Sequence, residues 1–101
     1  MSVALTAAQN RFLRGQAHGL KAVLQTGDKG LSEAFLAGLE EVLERHELIK
    51  VKLAAEDRQA REAMIGQIAQ RTGAAVVQRI GHVVILYRPS RDKRTIVLPR
   101  A

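Results

Sequence analysis

The sequence predicts an α+β domain with the element order α-β-α-β-α-β-β: a four-stranded mixed sheet with two crossover helices on one face. Three observations carry this. Phe35, Leu36, Leu39, Val42 and Leu43 recur at helical spacing and form one wide apolar stripe. Ile49, Val51 and Leu53 alternate with Lys50 and Lys52, the period of a strand with one buried face. Two β-rich runs, 74–80 and 83–88, flank Gly81-His82, which is the pattern of a hairpin.

The first helix begins after Thr6, a favourable N-cap, with Gln9 in capping-box position and Leu5 as the apolar residue before the cap. Leu5, Ala8, Phe12 and Leu13 mark its buried side, while Arg11, Arg14 and His18 share the outer side. Gly19 is its expected C-cap. A strand follows over Ala22–Gln25, then the loop Thr26-Gly27-Asp28-Lys29-Gly30-Leu31. Ser32 caps the second helix, which runs to about Arg45 and ends at His46-Glu47, with Glu33, Glu40, Glu41 and Glu44 on its outer surface. In the strand Leu48–Leu53, Ile49, Val51 and Leu53 point to one face and Leu48, Lys50 and Lys52 to the other, which is left open. Glu56-Asp57 place acidic groups at the positive end of a third helix, whose core side is Ala60, Met64, Ile65, Ile68 and Ala69 and whose stop is Gly73.

Pro89 closes the hairpin. Arg88–Arg94 reads as a basic loop, and Thr95–Pro99 as either an edge strand or a surface segment. Helices between successive strands imply parallel neighbours joined by right-handed crossovers, with the final hairpin reversing one strand. The second and third helices then cover one face of the sheet, and the first helix covers part of the other.

A chain of 101 residues, 47 % hydrophobic, is expected to be a single domain with a modest core. Its aromatic residues are Phe12, Phe35 and Tyr87, so that core is aliphatic and alanine-rich. The absence of cysteine excludes disulfide scaffolds, thiolate metal sites and cysteine nucleophiles. No basic leader and no long apolar run is present, so the expected location is the cytoplasm, without membrane contact.

The net charge of +6 and pI near 10.5 point to a polyanionic partner. The distribution is segregated: residues 1–30 carry Arg11, Arg14, Lys21 and Lys29 against Asp28 alone, whereas residues 31–47 carry five glutamates against Arg45. Residues 48–101 are again strongly basic. One face can therefore meet nucleic acid while an acidic helix turns away.

Gly27-Asp28-Lys29-Gly30 sits at a strand-to-helix junction. Two glycines there bring peptide N–H groups close to a ligand, and the helix start adds partial positive charge, a workable seat for phosphate. An ordinary turn fits the same four residues, and both readings stay open at this point. Catalysis finds no convergent set: His18, His46 and His82 are separated, and the serines lack triad context. No enzyme activity, metal or cofactor is expected. Tyr87, late in a strand, reads as core rather than as a base-stacking platform, so recognition by backbone and shape is favoured over sequence readout.

The order of these pieces resembles the CRM domain, named for chloroplast RNA splicing and ribosome maturation, and more closely its short bacterial stand-alone version, the YhbY-like proteins. The resemblance rests on Leu5-Thr6 with Gln9, Arg11, Leu13 and Arg14, on Gly27-Asp28-Lys29-Gly30-Leu31-Ser32, and on Glu47-Leu48-Ile49-Lys50-Val51-Lys52. Thr72-Gly73 with Val76-Val77, then Gly81 and Leu86-Tyr87-Arg88, complete it, so it covers about 4–98 of the domain 1–101. It implies a fold similar to the C-terminal domain of translation initiation factor 3. It also implies RNA binding, association with precursors of the large ribosomal subunit, and a Gly-x-x-Gly loop that works as in KH domains, clamping the nucleic-acid backbone. The loop's middle pair, Asp28-Lys29, departs from a purely cationic clamp by placing a carboxylate where phosphate would approach.

The expected RNA-binding residues are Gly27, Asp28, Lys29 and Gly30 in the loop, Arg11, Arg14 and Lys21 from the first helix onward, and Lys50 and Lys52 on the sheet. The expected partners are large-subunit ribosomal RNA and the pre-ribosomal particle, met by a monomer. Two other readings stand beside this: a protein–protein adaptor docking through the acidic second helix, and a small protein that binds duplex DNA.

Overall fold

A computed structural model describes residues 4–26, 30–91 and 96–99. It contains α1 (Ala7–Ala17), β1 (Ala22–Gln25), α2 (Glu33–His46), β2 (Leu48–Lys52), α3 (Arg58–Thr72), β3 (Ala75–Ile80) and β4 (Val83–Tyr87). The class and element order are those read from the sequence.

Local chemistry fixes the helix starts. Thr6 and Gln9 form a reciprocal capping box, each side chain bonding the other's backbone N–H at 3.1 Å. Ser32 Oγ accepts the Phe35 N–H at 3.1 Å. The C-terminal ends differ from expectation in one case. α1 ends at Ala17 with His18 as its cap, because the His18 N–H reaches back to the Gly15 carbonyl before Gly19 is met. α3 starts at Arg58, after Glu56-Asp57, and ends as expected at Gly73, whose φ of 74° is left-handed.

The sheet order is β1-β2-β4-β3. Only β1 and β2 are parallel neighbours. β3 runs in the same sense but is separated from β2 by β4, which pairs antiparallel with both. The correction has a simple cause. The crossover through α3 leaves room for one strand beside β2, and the short hairpin at Gly81-His82 returns β4 into that gap. β4 thereby becomes central, and Val84 to Tyr87 are buried on both faces.

Two cores result. Under α2 and α3 lie Leu36, Leu39, Leu43, Ile49, Val51, Leu53, Ile65, Ile68, Val84 and Leu86. Under α1 lie Leu13, Ala17, Leu48, Val77, Ile85 and Tyr87. Leu48 is therefore buried, so the face that bears the lysines is open only beyond it. Tyr87 is a core residue, as read. Ala60, expected inside, is exposed, and Met64, Ile65 and Ile68 carry the core side of α3.

The second core is closed by a returning segment. Ile96 and Leu98 pack against it beside Leu5 and Phe12. The Gln9 side-chain amide donates to the Pro99 carbonyl at 2.9 Å. Residues 96–99 form no strand; they lie across α1 as a strap. Arg88, expected in a basic loop, is buried. Its guanidinium donates to Glu40 at 2.9 and 3.0 Å and to the Thr72 carbonyl at 2.8 Å. Arg91 of the same loop is exposed, and 92–95 lie outside the described residues.

Candidate nucleic-acid interface

The α1 face of the sheet can be followed row by row from the pairing. Lys50 sits between Ala22 and Ile85 in one row, and Lys52 between Gln25 and Val83 in the next. β3 continues these rows with Gln78 and Ile80. α1 covers Ile85, but Lys52, Gln25 and Ile80 are exposed and Lys50 is half-buried. The strip that α1 leaves uncovered thus carries both lysines. It ends at the C-terminal tip of β1, where the glycine loop begins.

Thr26 anchors that tip. Its N–H donates to the Lys52 carbonyl at 3.0 Å, and its hydroxyl accepts the Ala54 N–H at 2.8 Å. The side chain is fully buried. On the far side of the loop, Gly30 has φ 66°, and its carbonyl accepts the Ser32 N–H at 3.1 Å. A Cβ built on Gly30 would meet nothing within 4 Å, so space is open around it. The loop is therefore held at both ends. The Glu33 and Ala34 N–H groups, in the first turn of α2, have no carbonyl partner within the helix. Gly27, Asp28 and Lys29 lie outside the described residues.

Arg11 and Arg14 are exposed on the outer side of α1, as the spacing predicts, and Lys21 is exposed before β1. α1 packs on the face that carries Leu48, so Arg11 and Arg14 lie on the same side of the sheet as Lys50 and Lys52, and Lys21 precedes the edge strand β1. Among the described residues, no ion pair involves Arg11, Arg14, Lys21, Lys50 or Lys52. Nor does any Asp or Glu occur from Ala4 to Thr26 or in β2.

Four arginines beside α2 and α3 are matched, while Arg58, Arg61 and Arg91 form no ion pair among the described residues. Arg71 pairs with Glu33 at 2.8 Å, Arg79 with Glu62 at 2.9 Å, Arg45 with Glu41 at 3.1 Å and Arg88 with Glu40 at 2.9 Å. The Glu33 carboxylate, by hydrogen bond and charge, raises the Arg71 pKa, so this guanidinium stays ionised. A groove of about 560 Å³ between α2, α3 and Arg88–Arg91 is lined by the Glu33–Arg71 and Glu40–Arg88 pairs together with Arg91.

Sequence reasoning missed two kinds of residue here. Thr26 passed as a loop residue, although a threonine closing an apolar strand before a glycine is a natural anchor. Gln25 and Ile80 join the open strip only through the register, which no local pattern reveals.

Comparison with known proteins accords with this geometry. The CRS1 / YhbY (CRM) domain model matches residues 5–88. The chain belongs to the CRS1/YhbY (CRM) domain family. A Haemophilus influenzae relative, named RNA-binding protein, is 48 % identical over 96 residues, covering 95 % of this chain and 96 % of its own length. YqeI of Bacillus subtilis is 33 % identical, covering 94 % of this chain and 99 % of its own. Among solved structures, the solution structure of a hypothetical protein from Staphylococcus aureus superposes with TM-score 0.81 at 31 % identity, over 95 % of this chain and all (100 %) of that one. Membership in the CRM family thus spans the glycine loop, both helix caps and the lysine-bearing strand.

Proposed function

We propose that this chain binds RNA by its backbone and acts as an assembly factor on precursors of the large ribosomal subunit. One observation carries the reading: the cations of α1, the segment before β1, and β2 are free of ion pairs, in segments that carry no carboxylate of their own, whereas four of the arginines beside α2 and α3 are paired. An unmatched basic surface attracts a polyanion, and each phosphate contact releases counterions. The name of the Haemophilus relative supports RNA as the polyanion. The ribosomal precursor is what the CRM resemblance implies.

In this reading Gly27 and Gly30 permit close approach of the RNA backbone, Lys29 adds charge, and the first N–H groups of α2 supply donors. Arg11, Arg14, Lys21, Lys50 and Lys52 extend the contact. The protein works without a cofactor, as a monomer in the cytoplasm, holding RNA rather than transforming it.

Sucrose-gradient fractionation with ultraviolet cross-linking tests the reading. The protein should co-sediment with large-subunit precursors and recover their RNA. Confinement to ribosome-free fractions would refute it. Intramolecular partners of Glu33, Glu40, Glu41 and Glu44 and the burial of Glu47 weigh against the adaptor reading, and loss of partner capture on charge reversal at Glu40 and Glu44 with RNA affinity intact would favour it. Competition between structured RNA and duplex DNA at fixed salt separates the remaining alternative.

A further inference from the structure

An apolar pocket of about 330 Å³ lies beside the edge strand, lined by Gln16, Leu20, Val23, His46, Leu48, Ile49 and Ile96. It stands at the start of β1 and β2, the end of the sheet opposite the glycine loop. Its rim is unusual for a small protein's surface: Leu20 is 39 % and Val23 49 % exposed. Val23 is not exposed by accident of sequence. The β1–β2 register slips between Ala22 and Leu24, and the irregularity takes Val23 out of the alternation that buries Leu24.

The surroundings say what such a pocket takes. Lys21 stands between Leu20 and Val23 in the chain, and Lys50 follows Ile49. Apart from the buried Glu47 at the end of α2, the elements that line the pocket contribute no carboxylate near it. An apolar slot within a basic, acid-free surface is complementary to an anionic polymer that carries flat apolar groups. Its volume is at the small end of the range for ligand sites, which suits one planar ring system. Gln16 and His46 add hydrogen-bonding groups to otherwise aliphatic walls.

We propose that this pocket receives one unstacked nucleobase of single-stranded RNA. The inference rests on the RNA-binding reading above and deepens it. The strand rises about 10 Å from Val23 to Thr26, so an RNA strand held at the glycine loop and running along the β1 edge brings a neighbouring base to the pocket. The loop then fixes the backbone, and the pocket supplies what a surface without an aromatic platform otherwise lacks: a grip on a base. Leu and Val side chains make this grip tolerant of base identity, with Gln16 and His46 setting a preference.

The test compares two probes of equal length at fixed salt, a single-stranded RNA oligonucleotide and its abasic counterpart, on the wild type and on the double variant Leu20→Ser, Val23→Thr. Both replaced side chains are exposed, so the variant should fold. The wild type should bind the base-bearing probe more tightly. The variant should lose about five- to thirtyfold on that probe, a fraction of what base stacking on aromatic groups provides, and nothing on the abasic one. Intermolecular NOEs from Leu20 and Val23 methyl groups to base protons should appear in the wild-type complex. Equal affinity for both probes, or equal loss on both, would overturn the pocket while leaving backbone binding intact. Failure of the wild type to bind either probe would overturn the RNA reading itself. Sedimentation showing a wild-type dimer that the variant converts to monomer would assign the patch to self-association instead.

Discussion

Replacing Glu47 by alanine should be the most destabilising single change on the carboxylates of this protein. Glu47 follows α2 with φ 64°, and its side chain is 0 % exposed. One carboxylate oxygen accepts the Ser90 N–H at 2.7 Å and the other accepts the Ile96 N–H at 2.8 Å. Its carbonyl also accepts the Arg88 N–H at 2.9 Å, but any residue supplies that bond. Alanine removes both side-chain acceptors and leaves two donors in a dry place. Hydrogen bonds to a charged group contribute about 1.5–3 kcal/mol each, so the pair amounts to roughly 3–5 kcal/mol when some relaxation is allowed. Glutamine keeps one acceptor and sets an amide N–H against the other donor, so it should lose about half as much. Glycine relieves the positive-φ backbone by about 1 kcal/mol and should therefore be milder than alanine despite losing more atoms. Equilibrium unfolding in urea measures all three, with an unchanged slope as the sign that the folded state is intact. Hydrogen exchange at the Ser90 and Ile96 amides should accelerate in the alanine variant. If alanine costs less than about 1 kcal/mol, the strap is not held by this carboxylate and the reasoning fails.

Four further outcomes follow from the same geometry. Gly30→Ala meets no steric obstacle, so its cost should be the left-handed backbone alone, about 1–2 kcal/mol by thermal melting, while RNA affinity measured by filter binding should fall at least severalfold. Lys50→Gln, Lys52→Gln and Arg14→Gln should each lower the slope of log affinity against log salt by about 0.7 on single-stranded RNA, whereas Arg79→Gln, on the opposite face and paired with Glu62, should leave it unchanged. Arg88→Met should destabilise by about 2–4 kcal/mol in urea unfolding, because Glu40 and the Thr72 carbonyl lose their donor in a buried setting. Thr26→Val keeps the shape but removes the acceptor of the Ala54 N–H, for a loss of about 1–2 kcal/mol and faster exchange at that amide.

Much of the fold was legible because its determinants are local. The capping box at Thr6 and Gln9, the Ser32 cap, the stripe from Phe35 to Leu43 and the alternation at Ile49, Val51 and Leu53 each depend on residues a few positions apart, and each formed where it was read. The strand order was not legible, because the insertion of β4 beside β2 is decided by a pairing across more than thirty residues. Nor was the burial of Glu47 and Arg88. A pattern reading assigns charged residues to the surface, and only the assembled fold shows two of them buried. Leu48 illustrates the same limit in the other direction: alternation places it beside Lys50 and Lys52, but α1 covers one end of that face and not the other. For the site, Arg11, Arg14, Lys21 and Lys52 stand exposed as expected, while their freedom from ion pairs depends on where the glutamates went.

That last dependence links stability to charge display. The five glutamates of residues 31–47 read, in one dimension, as an acidic surface. In three dimensions Glu33, Glu40, Glu41, Glu44 and Glu47 are engaged with Arg71, Arg88, Arg45, Ser90 and the strap. Three of these carboxylates are offset locally by Arg71, Arg88 and Arg45, which would otherwise add to a diffuse positive field. The unpaired cations of α1, the segment before β1, and β2 stand in segments without carboxylates, whereas the unpaired Arg58 and Arg61 share theirs with Glu56, Asp57 and Glu62. Field strength near a surface falls within a Debye length of about 8–10 Å at moderate salt, so a cluster on one face attracts a polyanion there, whereas the same net charge scattered evenly would not orient it. Pairing on the α2 side thus directs the protein as well as stabilising it. It follows that charge removal at Glu33 or Glu41, whose pairs are exposed and contribute little to stability, should free Arg71 or Arg45 to bind RNA from the wrong side. Glu33→Gln should therefore raise non-specific RNA affinity and steepen its salt dependence while leaving the urea midpoint nearly unchanged. A flat salt slope in that variant would mean that the paired arginines are not being withheld from RNA, and the directional argument would fall.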